Sequence, residues 1–308
     1  MPGTGIGHGD CPYYGRMMSF GEHALVFRCG EAWLYGVLSL PEQAASRGVL
    51  IVVGGPQYRV GSHRQFALLA RYLASNGIPV MRFDVRGMGD SEGDARTFED
   101  VGDDLRCAID EFLAKVPLLK ELVIMGLCDA ASAALFYAYQ DRRVTGLVLL
   151  NPWVRTEEGS ARAHLKHYYT ARLFQPEFWR KIWQGNFDYA TAVQSFSKTF
   201  GAAVAARKKT SVSVERNGCD KSSSLVPLPE RMFQGLNRFT GKVLLVISGN
   251  DLTAQEFSDL VKSSRQWQKL LASSRVSRLN LQEANHTFSR REWRDQVGIW
   301  TKDWIYSW

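Results

Sequence analysis

Residues Leu122-Val-Ile-Met-Gly-Leu-Cys-Asp-Ala-Ala131 join an apolar run directly to an alanine-rich run. The first run is typical of a buried strand and the second of a helix, so the chain must turn sharply at Cys128. Such a turn has room only for small side chains two places before and after its central residue, and Gly126 and Ala130 occupy those places. The stretch therefore predicts a strand, a tight turn that exposes Cys128, and a helix.

The predicted turn has chemical consequences for Cys128. It places the thiol at a helix N-terminus, where the positive end of the helix dipole and the free amides favour the thiolate. A strand, turn and helix of this form is a nucleophile elbow, here with Cys in place of the usual Ser. The alternative interpretation is a buried structural cysteine at a strand–helix junction. The pattern G-x-C-x-A alone does not decide between the two.

Short β-rich runs and helix-length amphipathic runs alternate on both sides of this stretch, which is typical of a mainly parallel sheet with helices on both faces. The predicted strands are His23–Cys29, Ala32–Leu40, Gly48–Val53, Pro79–Phe83, Glu121–Gly126, Val144–Leu150, Lys242–Ser248 and Val276–Leu281. The predicted helices are His63–Asn76, Thr97–Val116, Asp129–Tyr139, Ala254–Leu271 and Ser289–Ile305. The first two strands, joined around Gly30, form an antiparallel hairpin at the sheet edge. The fold class is therefore α/β with an eight-stranded, mostly parallel sheet.

One interval between predicted strands, from Leu150 to Lys242, is too long for an ordinary connection. It contains an aromatic and basic stretch of helical character followed by a polar stretch. We interpret residues 154–235 as an inserted, mainly helical cap. Residues 1–153 and 236–308 then form the two parts of the core domain.

The positive charge of the chain is concentrated in this cap. The formal net charge is +7, and residues 155–231 hold 13 Lys or Arg against 7 Asp or Glu. The basic residues alternate with a set of aromatic ones: Tyr168, Tyr169, Phe174, Phe178, Trp179, Trp183 and Phe187. Three interpretations stay open: a lid that selects a negatively charged substrate or acidic carrier protein, a face that rests on an anionic membrane, and an ordinary amphipathic cap. The sequence contains no nucleic-acid-binding motif, so we expect no nucleic-acid partner.

Two polar residues that follow predicted strands are candidate partners of Cys128. Asp251 ends the segment Ser248-Gly-Asn-Asp, and His286 ends the segment Glu283-Ala-Asn-His. The order nucleophile, acid, histidine is that of enzymes built on this elbow. His286 would then deprotonate Cys128 or hold it as an ion pair, while Asp251 fixes the imidazole tautomer. The alternatives are that Asp251 and His286 only cap the helices that follow them.

A catalytic site of this kind also needs donors for the negative charge that develops on the substrate carbonyl oxygen. The usual donors are the amide after the nucleophile and an amide from the loop after the third strand. These are Asp129 and the loop Gly54-Gly55-Pro56-Gln57. Because Pro56 has no amide hydrogen, we predict Gln57 as the second donor.

Several other kinds of site are not indicated. The five cysteines are odd in number, scattered and without a C-x-x-C pair, and His164 and His167 lack nearby acidic or thiol partners, so we predict neither disulfides nor a metal. The loop Asp84–Ser91 lacks the full phosphate-binding glycine pattern, and no cofactor is expected. Neither a span of roughly 20 apolar residues nor a secretory signal is present, so we expect a cytoplasmic location.

Taken together, the segments VVGGPQYRVGSHRQF, RFDVRGMGDSEG, GLCDAASAAL, LLNPWVR, SGNDLTAQEF and HTFSRREWRDQV resemble the alpha/beta hydrolases and, within them, exosortase A system-associated hydrolase 1. The resemblance covers nearly the whole chain. It implies a bacterial setting beside exosortase-dependent sorting and exopolysaccharide production, without defining a substrate. The chain departs from most alpha/beta hydrolases in having Cys for Ser and Ala for the second elbow Gly, as dienelactone hydrolase-like enzymes also do.

The sequence thus predicts a hydrolase or acyltransferase that acts on an ester or thioester through Cys128, His286 and Asp251. A thioester intermediate reacts readily with amines, so transfer and hydrolysis both stay open. The substrate would be a small molecule or a carrier-bound acyl group. The alternative is a binding or scaffolding protein that keeps the fold without the activity, because fold does not fix function.

Overall fold

The computed structural model describes residues 18–55, 57–154 and 226–308. The chain divides into two units, residues 1–153 with 232–308 and residues 154–231. The sheet belongs to the first unit. The predicted cap, 154–235, lies almost entirely outside the described residues and stays a prediction, as does its basic and aromatic character as a lid. The residues His164 and His167 also lie outside them.

Eight strands form one sheet in the order β1-β2-β4-β3-β5-β6-β7-β8. Their bounds are β1 Phe20–Cys29, β2 Ala32–Pro41, β3 Arg47–Val52, β4 Val80–Phe83, β5 Glu121–Leu127, β6 Val144–Leu150, β7 Lys242–Ser248 and β8 Val276–Leu281. β1 and β2 form an antiparallel hairpin, and β2 runs antiparallel to β4. The remaining neighbours pair in parallel. The predicted eight-stranded, mostly parallel sheet with an antiparallel edge is therefore confirmed.

Seven α-helices lie in the described parts of the chain. Their bounds are α1 Gln65–Ser75, α2 Gly102–Lys115, α3 Asp129–Tyr137, α4 Leu228–Arg238, α5 Leu252–Ser263, α6 Arg265–Leu271 and α7 Arg291–Tyr306. Two short 3₁₀ turns, Ser62–Arg64 and Ala138–Gln140, adjoin α1 and α3. None of these helices is long and apolar enough to cross a membrane.

The central strands are buried on both faces. Val49 and Ile51 of β3 belong to the apolar cluster that also holds side chains of α1 and α7, while Leu50, which points to the opposite face, is equally inaccessible. Alternate residues of a strand point to opposite faces, so both faces of the sheet are covered. Burial on both faces explains why the central strands are continuous apolar runs in the sequence.

The predicted helix Ala254–Leu271 is two helices, which corrects the expectation. Ser264 adopts an extended backbone conformation between α5 and α6, and its Oγ accepts a hydrogen bond from the Trp267 amide at 3.4 Å. A serine that bonds the amide three residues on is a helix N-cap, so it starts a new helix. Trp267 is buried by this break and makes edge contacts with Phe233 and Phe257.

The carboxyl ends of the parallel strands lie along one edge of the sheet. The segments that follow β3, β5, β7 and β8 hold Gly54, Cys128, Asp251 and His286 in that order along the chain. Ligands of open α/β sheets bind outside this edge. The fold thus directs the predicted site residues to a common region.

Candidate active site

Cys128 lies at the sharp turn between β5 and α3. Its backbone has φ 62° and ψ −124°, a conformation that L-residues rarely adopt and that costs on the order of 1–3 kcal/mol. The turn is held on both sides of Cys128, because the Cys128 amide donates to the Leu150 carbonyl at 2.9 Å and the Trp153 amide donates to the Cys128 carbonyl at 3.1 Å. The predicted strand, turn and helix are therefore present, with the thiol on the outside of the turn.

The small residues of the turn are required by its packing. A Cβ atom on Gly126 would lie 2.5 Å from the backbone C and O of Ala130. No side chain relaxation removes such a contact, because both atoms belong to the main chain of α3. The spacing of small residues in the sequence thus reflects a direct approach of strand to helix.

Cys128, His286 and Asp251 are brought together. His286 Nδ1 lies 2.8 Å from Asp251 Oδ2, and His286 and Cys128 line the same cavity. Asp251 is at the same time the N-cap of α5, where its carboxylate accepts the amides of Thr253 and Ala254, each at 3.2 Å. Helix capping and contact with His286, which the sequence left as alternatives for Asp251, therefore coexist. His286 caps no helix, since the N-cap of α7 is Arg290.

The environment of His286 favours its protonated form. The hydrogen bond to Asp251 is the largest cause that raises the pKa of His286 to about 10, the interaction with Cys128 adds to it, and burial opposes both. The ordinary pKa of a histidine is about 6.5. At neutral pH the ring therefore carries a positive charge in the cavity that Cys128 also lines.

The loop that follows β3 differs from the expected oxyanion arrangement. The Gln57 amide donates to the Gly55 carbonyl at 2.8 Å, and the Gln57 Oε1 accepts the Ser62 amide at 3.2 Å. Gln57 lies at the pocket, but its N–H is engaged within its own loop. A local turn of this kind depends on the loop conformation, which residue types and spacing alone do not indicate. The Asp129 amide is the first helical N–H of α3, one of the donors that a helix leaves without an intrahelical acceptor.

The carboxylate of Asp129 has a role that the sequence reasoning missed. Its Oδ2 accepts the Gly55 amide at 2.8 Å and its Oδ1 accepts the Ala130 amide at 2.9 Å. A Cβ on Gly54 would lie 1.8 Å from Oδ1, so Gly54 must lack a side chain for this contact to form. Asp129 therefore ties the Cys128 turn to the loop after β3. An acidic residue directly after Cys128, with Gly-Gly after a strand, is the signal that could have indicated it.

A second buried carboxylate holds the same loop from its other end. Asp84 accepts the Arg59 amide at 2.6 Å and the Asp90 amide at 3.1 Å, and it forms an ion pair with the Arg59 guanidinium. Gly89 passes so close that a Cβ there would lie 2.4 Å from Asp84 Oδ2. Gly89 of the Asp84–Ser91 loop therefore leaves room for this buried carboxylate.

A cavity of about 300 Å³ opens at Cys128. Such a volume holds a small acyl group or the reacting end of a larger one. Its lining combines apolar side chains with the polar groups described above. The lining residues are Gly54, Gly55, Gln57, Phe66, Phe98, Leu127, Cys128, Asp129, Trp153 and His286. Within the parts of the chain that the structure describes, no group of three or more His, Cys, Asp or Glu could hold a metal ion.

Comparison with known proteins supports the same class of fold. The family model described as "Serine aminopeptidase, S33" (Hydrolase_4) matches residues 44–269. A search of curated proteins found no significant match. An esterase of Pyrococcus furiosus is 16% identical, with coverage of 93% of this chain and 92% of that chain and a TM-score of 0.59.

Two further solved structures resemble the chain. A dienelactone hydrolase from Anabaena variabilis is 15% identical, with coverage of 94% of this chain and 98% of that chain and a TM-score of 0.58. The protein Est1E of Butyrivibrio proteoclasticus, solved with ferulic acid, is 13% identical, with coverage of 92% and 98% and a TM-score of 0.56. At these identities the likeness establishes the alpha/beta-hydrolase fold.

Proposed function

The chain belongs to the hydrolase family described as serine aminopeptidase, S33, and from that premise we propose that it cleaves or transfers acyl groups through a covalent thioester on Cys128. The observation that carries the proposal is the contact of the His286 imidazole with Asp251 at 2.8 Å, at a cavity that His286 and Cys128 line together. The family's name specifies serine, whereas this chain has cysteine at the elbow. The proposed nucleophile is therefore a thiolate paired with an imidazolium.

In the first step the Cys128 thiolate attacks the carbonyl carbon of an ester or thioester, and the π electrons move to the carbonyl oxygen. The tetrahedral intermediate then expels the leaving oxygen or sulfur, which takes a proton from the His286 imidazolium. An acyl-cysteine remains. The high pKa of His286, about 10, supports this role, because the ring holds its proton at neutral pH until a leaving group with developing negative charge accepts it.

In the second step water, an alcohol or an amine attacks the thioester carbonyl. The neutral His286 left by the first step takes the proton of this nucleophile, and the Cys128 thiolate departs. Water gives hydrolysis, while an alcohol or amine gives acyl transfer. Asp251 holds the Nδ1 side of the ring at 2.8 Å throughout, so the other ring nitrogen stays directed to the sulfur.

Charge on the substrate oxygen needs at least two donors, and we propose the amides of Asp129 and Gln57. The Asp129 amide stands at the N-terminus of α3, where the helix dipole favours negative charge. The Gln57 amide has to exchange the Gly55 carbonyl for the substrate oxygen. Substrate binding is thus expected to rearrange the loop after β3.

The resemblance to exosortase A system-associated hydrolase 1 suggests the setting. We place the protein in the bacterial cytoplasm, in exosortase-associated or exopolysaccharide metabolism, with a small-molecule or carrier-bound acyl substrate. The proposed basic cap, residues 154–235, would meet an acidic carrier protein or a membrane surface. The esterase and dienelactone hydrolase among the similar structures support chemistry at an ester.

The proposal is tested by trapping the acyl-enzyme. We expect brief exposure to p-nitrophenyl acetate to acetylate Cys128, as located by peptide mass spectrometry, and we expect Cys128→Ala to abolish both the adduct and turnover. Cys107→Ser, which removes a partly exposed thiol of α2, is the matched control and should behave as wild type.

Iodoacetamide labelling separates the enzyme from a scaffolding protein with the same fold. A thiolate held by an imidazolium alkylates much faster at neutral pH than an ordinary thiol. If Cys128 reacted no faster than Cys107 and no ester or thioester were turned over, the chain would be a non-enzymatic member of the fold. Turnover retained in Cys128→Ala would show that another residue is the nucleophile.

A further inference from the structure

The segment Leu149-Leu-Asn-Pro-Trp153 contains a buried polar residue that the proposed reaction does not use directly. Asn151 follows β6, is completely inaccessible to solvent, and has φ 44°. A left-handed backbone is uncommon for residues other than glycine, with asparagine and aspartate tolerated best. A strained, fully buried asparagine next to the nucleophile turn requires a reason, because its amide group has to be completely hydrogen-bonded to be stable there.

The Asn151 side chain joins three chain segments. Its Nδ2 donates to Ser248 Oγ at 2.9 Å and to the His286 carbonyl at 3.0 Å, and its Oδ1 accepts the Ser248 amide at 2.8 Å. Ser248, which is 1% exposed at the end of β7, donates its hydroxyl to the Asn285 carbonyl at 3.0 Å. Two consecutive carbonyls of the segment that holds His286 are therefore anchored by side chains from β7 and the end of β6.

The His286 segment has little other support from its own strand. None of the residues of β8 (Val276–Leu281) is fully buried, and β8 pairs with β7 alone at the edge of the sheet. Between β8 and α7 the backbone is irregular, with Phe288 at φ 49°. The hydrogen bonds from Asn151 and Ser248 hold this irregular segment against the end of β6, which accepts the Cys128 amide, and against β7, which precedes Asp251.

We propose that Asn151 and Ser248 are positioning residues that fix the His286 backbone so that one imidazole reaches both Asp251 and Cys128. This inference rests on the proposed function. The ring contacts Asp251 at 2.8 Å and faces the cavity that Cys128 also lines, so a shift of the His286 backbone moves the imidazole relative to both residues. A displacement of about 1 Å at a catalytic group can cost about 100-fold in rate.

The first test measures iodoacetamide alkylation of Cys128 from pH 5 to pH 10 in wild type, His286→Ala, Asn151→Gly, Asn151→Asp and Ser248→Ala. Glycine keeps the left-handed backbone and removes the amide, whereas aspartate keeps the acceptor of the Ser248 amide and removes the donor to Ser248 Oγ and to the His286 carbonyl. We expect His286→Ala to move the onset of alkylation to the pH of an ordinary thiol, near about 8.5. The three other variants should shift the onset in the same direction, by a smaller amount for Ser248→Ala.

The second measurement is the kinetics of p-nitrophenyl acetate hydrolysis. We expect kcat to fall about 10- to 100-fold in Asn151→Gly and Asn151→Asp with KM nearly unchanged, because the cavity lining stays intact while the imidazole moves. Thr301→Val is the matched control, since it removes an equally buried hydroxyl that donates to the Val297 carbonyl at 2.7 Å within α7. We expect Thr301→Val to keep the wild-type onset pH of Cys128 alkylation and the wild-type kcat.

The outcomes are distinguishable. Suppose that His286→Ala shifts the onset pH of Cys128 alkylation, while the Asn151 and Ser248 variants shift it no more than Thr301→Val does. The positioning role is then wrong, and the proposed Cys128–His286 pair is unaffected. If His286→Ala itself leaves alkylation unchanged, the pair is wrong and the positioning role falls with it. Should the Asn151 variants not fold, Ser248→Ala decides, because it keeps Asn151 and its strained backbone in place.

Discussion

Replacement of Gly126 by alanine tests how tightly the nucleophile turn is packed. The added Cβ would lie 2.5 Å from the Ala130 C and O atoms and 2.7 Å from the Ala131 amide nitrogen. To restore an ordinary contact of 3.4 Å, the start of α3 has to retreat by about 0.9 Å. Overpacking against a rigid backbone typically costs about 1–3 kcal/mol of unfolding free energy. The same movement carries Cys128, so we expect kcat to fall by about 100-fold as well.

Urea unfolding followed by circular dichroism gives the free energy, and p-nitrophenyl acetate hydrolysis gives kcat. Gly102→Ala is the matched control, because a Cβ at this first residue of α2 would have no neighbour closer than the Tyr137 ring at 3.9 Å. It should leave kcat unchanged and stabilise the protein by up to about 1 kcal/mol through the lower entropy of the unfolded chain. A Gly126→Ala protein with wild-type kcat and stability would refute the argument that the turn has no room.

Asp251→Asn should move the alkaline limb of the pH profile of kcat/KM from about pH 10 toward neutral pH. The Asp251 hydrogen bond is the largest cause of the raised pKa of His286, and the ring loses its proton as the pH rises through that pKa. If the alkaline limb does not move, a group other than His286 causes it. Asp129→Asn should lower the free energy of unfolding, measured in urea, by about 1–2 kcal/mol. The carboxylate accepts the Gly55 and Ala130 amides with its two oxygens, and an asparagine side chain has only one oxygen. Unchanged stability would contradict this. Steering by the proposed cap predicts that salt lowers kcat/KM for an acyl-carrier-protein substrate and not for p-nitrophenyl acetate, and that the difference shrinks in a charge-reduced variant. That variant replaces three cap residues by glutamine: Arg172, Arg180 and Lys181. Equal salt dependence of kcat/KM for both substrates in both proteins would refute steering and leave the cap with a packing role alone.

The parts of the molecule that sequence reasoning predicted are those governed by local rules. The turn at Cys128 is visible because a strand, small residues at fixed spacing and a helix follow one another without a break. Asp251 and His286 could be paired with it because each comes shortly after a strand, and parallel strands bring their carboxyl ends to one edge. These inferences need only strand order and spacing.

The parts that it missed depend on which way a side chain or an amide points in three dimensions. The Gln57 amide, which we predicted as the second oxyanion donor, donates to the Gly55 carbonyl at 2.8 Å, a contact that strand order and spacing do not indicate. The Asp129 carboxylate and the Asn151 side chain act across loops that are far apart in sequence, and no periodic pattern records such contacts. The break at Ser264 is different, because serine is a residue type that favours the N-cap position, and the sequence therefore carries a signal for a new helix there.

The contact between Gly54 and Asp129 limits how this site can change in evolution or in the laboratory. A side chain at position 54 would occupy the place of the Asp129 carboxylate, which lies 1.8 Å from the missing Cβ. Any substitution of Gly54 must therefore follow, or accompany, the loss of the acid at position 129. The two positions are therefore coupled, and a side chain at position 54 also requires the Ala130 amide nitrogen, 2.8 Å from the missing Cβ, to move. A library that varies positions 54 and 129 one at a time cannot find a larger residue at position 54.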